Sequence, residues 1–179
     1  YGLGYTYFKQ QEYLLSITQF EAGLKELQSA DKKTQSNQFV QATYGDLLLR
    51  LADAHFALNA YPQALAYYQQ VVSRNLVGAD YANYQEAILL GLTKQKDKKI
   101  QSLQQMQKRF PGSLYLDNAM LELANTYFIH DEYEAALKQI DTFTVRRPNS
   151  LLLKNALLIK GLILYNQEKY QASLAVYKE

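Results

Sequence analysis

The sequence predicts an all-α chain of stacked antiparallel helix pairs. Three observations carry the prediction. First, Leu123-Ala124-Asn125-Thr126-Tyr127-Phe128 is repeated in kind by Leu51-Ala52-Asp53-Ala54-His55-Phe56 and by Leu3-Gly4-Tyr5-Thr6-Tyr7-Phe8. Second, apolar residues recur at helical spacing, as at Leu116, Met120, Leu123, Ala124 and Tyr127, so each segment buries one face of a helix. Third, three prolines and eight glycines in 179 residues are too few for the many tight turns of an all-β domain.

The elements follow in order. After each aligned segment come a polar turn and a tyrosine (Tyr13, Tyr61, Tyr133). A small residue stands three positions on (Ser16, Ala64, Ala136), and a large one at the next helical turn (Phe20, Tyr68, Ile140). Another copy starts at Gly161, with Tyr165, Tyr170, Ser173 and Tyr177. A weaker one surrounds Ala87 and Leu90, with Lys96 and Lys99 in the tyrosine and small-residue places. Ala87 to Ala124 and Ala124 to Gly161 are each 37 residues, Ala52 to Ala87 is 35, and Gly4 to Ala52 is 48. The long interval places an insertion at Ser29 to Gln38, which is polar and aperiodic. The reading is one repeat array over 1–179, with about five helix pairs near 1–28, 39–76, 79–111, 114–148 and 151–179, the last truncated. Both ends fall inside patterned segments, so the chain reads as a fragment of a longer protein.

Packing explains the residue choices. The small residue of each first helix (Gly4, Ala52, Ala87, Ala124, Gly161) is expected to face the small residue of the second, so that the axes approach closely. The tyrosine opening each second helix should lie over the turn, ring buried and hydroxyl wet. Pro111 and Pro148 end helices, and Ser113 and Ser150 are placed to cap the next ones. Asn75 and Gly78 mark the equivalent break after the second pair.

This order of residues resembles the tetratricopeptide repeat, whose pattern runs W-x2-L-G-x2-Y, A-x3-F, P. The leading Trp is missing throughout, and the closing Pro is present in two copies. The resemblance implies a right-handed superhelical solenoid whose concave groove is lined by the first helices. Carried over by position, the binding surface would hold Tyr5, Phe8, Arg50, Asp53, Phe56, Tyr84, Glu122, Asn125, Phe128, Asn155 and Tyr165, with Asp46, Leu49, Leu121, Leu158 and Leu162 beside them. The family's carboxylate clamp is not expected, because Asn118 and Asn125 lack the accompanying lysines and Arg50 is flanked by Asp46 and Asp53. The 37-residue period and the Phe110-Pro111-Gly112-Ser113 and Arg147-Pro148-Asn149-Ser150 junctions look like the arrays of bacterial cell-envelope and periplasmic proteins, which gives a preference for that compartment.

Chemistry is scarce. Nineteen basic against seventeen acidic residues give +2, too balanced to imply nucleic acid. The absence of cysteine removes disulfides and thiolate chemistry. No apolar run is long enough to span a membrane. His55 reads as a packed substitute for the repeat's tyrosine, and His130 as part of a solvated turn with Asp131 and Glu132, so no metal site is expected. No nucleotide-binding, hydrolase or metalloprotease signature occurs; Gly2-Leu3-Gly4 belongs to helix packing. Lys94, Lys96, Lys98 and Lys99 are read as a solubilising turn, since no aromatic is interleaved. No cofactor and no enzymatic activity are expected.

Three functions compete. The favoured one is a non-catalytic scaffold holding a peptide or protein segment in the groove. The alternative is a structural spacer or self-assembly segment of a long solenoid, with end-to-end association through uncovered ends. A ligand-binding domain would need a pocket closed against the insertion at Ser29 to Gln38.

Overall fold

The computed structural model describes residues 1–178, the side chain of Gln35 excepted; Glu179, the last residue of the fifth expected repeat, lies outside them. The described residues form helices and no strand: α1 (Gly2–Lys9), α2 (Tyr13–Ser29), α3 (Lys32–Gln35), α4 (Gln38–Ala57), α5 (Tyr61–Ser73), α6 (Ala79–Leu92), α7 (Lys96–Arg109), α8 (Leu116–Phe128), α9 (Tyr133–Arg146), α10 (Leu153–Asn166) and α11 (Tyr170–Val176). They fall into two compact units, Tyr1–Lys94 and Gln95–Glu179. In the first, α1 packs on α2, α2 on α4, α4 on α5 and α5 on α6. In the second, α7 packs on α8, α8 on α9, α10 on both of these, and α11 on α10.

One turn geometry joins the paired helices. Gln11, Asn59, Asp131 and Glu168 all have φ between 57° and 64°, the left-handed region that ends a helix. In the first turn the Gln11 N–H donates to the Phe8 carbonyl and the Glu12 N–H to the Tyr7 carbonyl, at 3.0 and 2.9 Å. Asn59 and Ala60, Asp131 and Glu132, and Glu168 and Lys169 repeat the arrangement. Each bond satisfies a carbonyl that the helix end would leave bare. A ring pair closes the same turns: Phe8 on Tyr13, Phe56 on Tyr61, Phe128 on Tyr133 and Tyr165 on Tyr170, with centroids 5.4–6.2 Å apart. The hydroxyls of Tyr61 and Tyr133 are not simply wet, because each donates at 2.8 Å to the left-handed residue before it, Asn59 or Asp131.

The junctions between pairs differ from expectation in one detail. Ser113 and Ser150 do not cap α8 and α10. Their hydroxyls accept from the N–H groups of Tyr115 and Leu152, fixing a lead-in turn before each helix. Asn75, at φ 50°, and Gly78, at φ 78°, make the break before α6 as expected.

Close approach of paired helices is also arranged differently. A Cβ built on Gly4 would stand 2.7 Å from the ring of Phe20, and one on Gly161 would stand 2.4 Å from the ring of Tyr177. These glycines make room for an aromatic one turn beyond the small residue. Ser173 does lie against Gly161, donating its hydroxyl to that carbonyl at 2.8 Å.

The core of the second unit is a continuous cluster. Met120, Ala124, Ala136, Ile140 and Phe143 of α8 and α9 are covered by Ala156, Ile159 and Ile163 of α10. Phe20, Leu47, Leu48, Leu51 and Val71 are the corresponding buried side chains of the first unit. The insertion is not featureless: it holds α3, capped by Asp31, whose carboxylate accepts from the Thr34 N–H at 2.9 Å. It also lengthens α4 to 20 residues where α8 has 13.

Candidate functional site

In the first unit the structure brings together three of the expected surface residues, and it does so through tyrosines. Asp53 on α4 is mostly buried. Its Oδ1 accepts from the hydroxyls of Tyr68 on α5 at 2.6 Å and Tyr81 on α6 at 2.9 Å. Its Oδ2 accepts from Arg50 at 3.0 Å. Arg50 also reaches Asp46, and Asp46 accepts from the hydroxyl of Tyr1. The ring of Tyr1 stacks on Tyr5, and the Lys9 ammonium lies 5.3 Å from the Tyr5 centroid.

Burial dominates the electrostatics of this cluster. It pushes the Asp53 carboxyl above the usual carboxylate range, and the Tyr68, Tyr81 and Arg50 donors only partly oppose it. Burial and the Asp53 charge raise both Tyr68 and Tyr81. Tyr1 is pushed up to about 12, by burial first and then by its bond to Asp46. For Arg50 burial acts downward, but Asp53 and Asp46 outweigh it and the guanidinium is held more firmly protonated. The hydroxyls therefore stay donors, and the cluster carries two carboxylates against one guanidinium.

In the second unit α8 and α10 lie side by side. Leu121, Asn125 and Phe128 on α8 are half-buried; Leu158, Leu162 and Tyr165, 37 residues later, are exposed at 52%, 38% and 59%. Asn155 stands exposed at the start of α10. This surface is largely apolar and aromatic, with Asn125 within it, Asn155 at its margin and no charge in the stripe.

The remaining expected residues are placed as follows. Phe8, Phe56 and Phe128 are half-buried against the tyrosines of their own hairpins, so each helps hold its turn closed. Tyr84 is half-buried on α6. Glu122 is engaged by Lys99. Leu49, expected on the surface, is buried, because it fills the space beside Gly78.

The basic run is likewise not only a solubilising turn. Lys99 is buried at 7% exposure and pairs with Glu122, and Lys96 pairs with Glu132. Lys98 is exposed, as expected. The signal for the buried pair was present in the departure of Lys99 from the small residue of the other copies. His55 stacks on Tyr67 with centroids 5.6 Å apart, and burial lowers its pKa.

Among the described residues no three His, Asp or Glu side chains converge as a metal would require, and no helix is long and apolar enough to cross a membrane.

Comparison with known proteins follows this geometry. The family model YfiO, described as outer membrane lipoprotein, matches residues 79–174, more than half of the chain. A tetratricopeptide-repeat model matches residues 46–75. No curated protein matches by sequence. Among solved structures, a tetratricopeptide repeat protein from Parabacteroides merdae ATCC 43184 aligns with a TM-score of 0.75 at 14% identity, covering 98% of this chain and 61% of that one. This chain thus spans under two thirds of that protein's crystallised length. MamA protein aligns with a TM-score of 0.73 at 15% identity, covering 99% and 85%. The apo form of RapI aligns with a TM-score of 0.78 at 11% identity, covering 98% and 50%. These likenesses establish the fold. The chain is built of tetratricopeptide repeats and belongs to the YfiO family, the family described as outer membrane lipoprotein.

Proposed function

We propose that this chain is a single repeat array acting as a non-catalytic scaffold, which holds a peptide or protein segment along the exposed faces of its first helices. The observation that carries the reading is the stripe of Leu158, Leu162 and Tyr165 beside Leu121, Asn125 and Phe128. An apolar i, i+4, i+7 row on α10 beside Leu121 and Phe128 of α8, with Asn125 between them, suits the apolar face of a bound segment. Membership of the YfiO family and the sequence junctions support work at the bacterial cell envelope.

A photo-crosslinking residue placed at Leu158 tests this in envelope extracts, with Leu114, 92% exposed in a junction turn, as the control position. A partner band from position 158 only, lost on Leu162→Asp with the fold intact, is the expected result. Equal labelling from both positions would remove the surface as the site. Phe56 and Phe128 are poor probes, because their loss opens hairpin turns.

A second reading, self-assembly through the last helix pair, rests on Tyr170, Leu174 and Tyr177. They lie on one face of α11 and its C-terminal end and are exposed at 55%, 49% and 48%. Crosslinks from position 158 that join only copies of this chain would favour it.

A further inference from the structure

A pocket lies where the lengthened start of α4 meets the ends of α2 and α5. Regular first helices begin at the place of Tyr44, since Tyr44 stands eight residues before Ala52 as Leu116 does before Ala124. The extra turns of α4 add Val40 and Gln41 to Tyr44, facing Leu27 and Gln28 near the end of α2 and Arg74 at the end of α5. These six residues line a pocket of about 250 Å³.

Arg74 is held for work in this pocket. Its Nη1 donates to the Tyr44 hydroxyl at 2.9 Å, and its guanidinium carbon lies 5.4 Å from the centroid of the Tyr44 ring. Those contacts turn the head toward α4, although the residue caps α5 and could have folded back on that helix's carbonyls. Among the described residues no carboxylate lies within ion-pair distance of it, whereas Arg50 has two and Arg147 has one. A guanidinium presents five donors in a planar fork that matches a carboxylate. Leu27 and Val40 supply apolar wall beside it. With Arg74 as the one cation among the six lining residues, the pocket suits a singly charged carboxylate.

We propose that the Arg74–Tyr44 pocket binds a carboxylate carried on a short apolar stem. The site is separate from the first-helix stripe and stands or falls independently of it. Either a free small carboxylic acid or the C-terminal residue of a peptide presents this chemistry.

The test is titration of the 15N-labelled 179-residue chain with hexanoate and with hexanamide, its neutral counterpart, followed by NMR. Saturable shifts at Val40, Gln41 and Tyr44 are expected with hexanoate, and affinity about tenfold or more weaker with hexanamide, as loss of a charge-assisted bond implies. Arg74→Gln should remove the preference for the acid without moving the melting temperature, because Arg74 is exposed. A parallel arm compares acetyl-Gly-Ser-Leu as free acid and as amide. Tighter binding of the peptide acid than of hexanoate assigns the site to a chain terminus, and the reverse assigns it to a free acid. Equal shifts with acid and amide, no shifts with any of the four, or an acid preference unchanged in Arg74→Gln would each overturn the proposal.

Discussion

Lys99 on α7 donates its ammonium to Glu122 on α8, at a place where the other helix pairs carry alanine or serine. The lysine is buried to 7% exposure, while the carboxylate keeps a quarter of its side chain in water. A long charged side chain thus replaces a small one, and an acid on the next helix makes the exchange tolerable. Removing one partner from such a pair leaves a charge in a poor dielectric, whereas replacing both with apolar groups of like volume need not cost stability. Lys99→Ala is therefore expected to destabilise by about 1–3 kcal/mol. Lys99→Met with Glu122→Leu should stay within about 1 kcal/mol of the parent. Urea denaturation of the three proteins checks both statements.

Asp53 gives a prediction in pH. Its carboxyl is raised above 3.8 in the folded chain by burial. The native state therefore holds that proton more tightly than the unfolded state, and stability from this group falls as pH rises from the unfolded value through the raised one. Asp53→Asn keeps an acceptor for Tyr68 and Tyr81 and cannot ionise. The melting temperature of the variant should gain on the parent between pH 4 and pH 7. A difference that is flat, or that moves the other way, would show that the donors outweigh the burial.

Tyr68 and Tyr81 share one oxygen of that carboxylate. Each phenylalanine substitution should cost about 1.5–3 kcal/mol, the range for hydrogen bonds to charged groups. The double mutant should depart from the sum, because the two hydroxyls act on a common acceptor. A double-mutant cycle by thermal melting measures the coupling.

Two glycines in equivalent places should respond oppositely to alanine. At Gly4 the new methyl meets the ring of Phe20, which is fully buried and has nowhere to go. The overpacking should cost about 1–3 kcal/mol. At Gly161 it meets Tyr177, which is 48% exposed and can swing outward. There the gain in helix propensity of about 1 kcal/mol should balance or exceed the repacking cost. Melting temperatures of the two single mutants decide this.

The hairpin turns offer a fifth test. Gln11 and Glu168 occupy the left-handed region at φ 64° and 60°, which costs an L-residue about 1 kcal/mol relative to glycine. Gln11→Gly and Glu168→Gly should each stabilise by up to about 1 kcal/mol. Gly78→Ala should do the reverse, since φ is 78° and its Cβ would meet Leu49 at 2.6 Å. Chemical denaturation of the three variants gives the sign directly.

The sequence by itself determined the helix pairs, their register and the position of the insertion. Each of these rests on local periodicity: apolar spacing buries one helix face, and the 37-residue recurrence sets where the next pair begins. It also placed Tyr13, Tyr61, Tyr133 and Tyr170 at the starts of second helices, where the structure has them. Tertiary structure alone decided which side chains are spent on holding the fold. Phe56 and Phe128 pass as surface residues by position, yet their rings close hairpin turns against tyrosines five residues on. Tyr68 reads as core, yet its hydroxyl fixes Asp53, and Tyr44 turns Arg74 at the end of α5 toward a pocket. Such pairings join residues 15 to 30 positions apart across different helices. A helical period reports which face a residue occupies; which partner it meets there is fixed only when the helices dock.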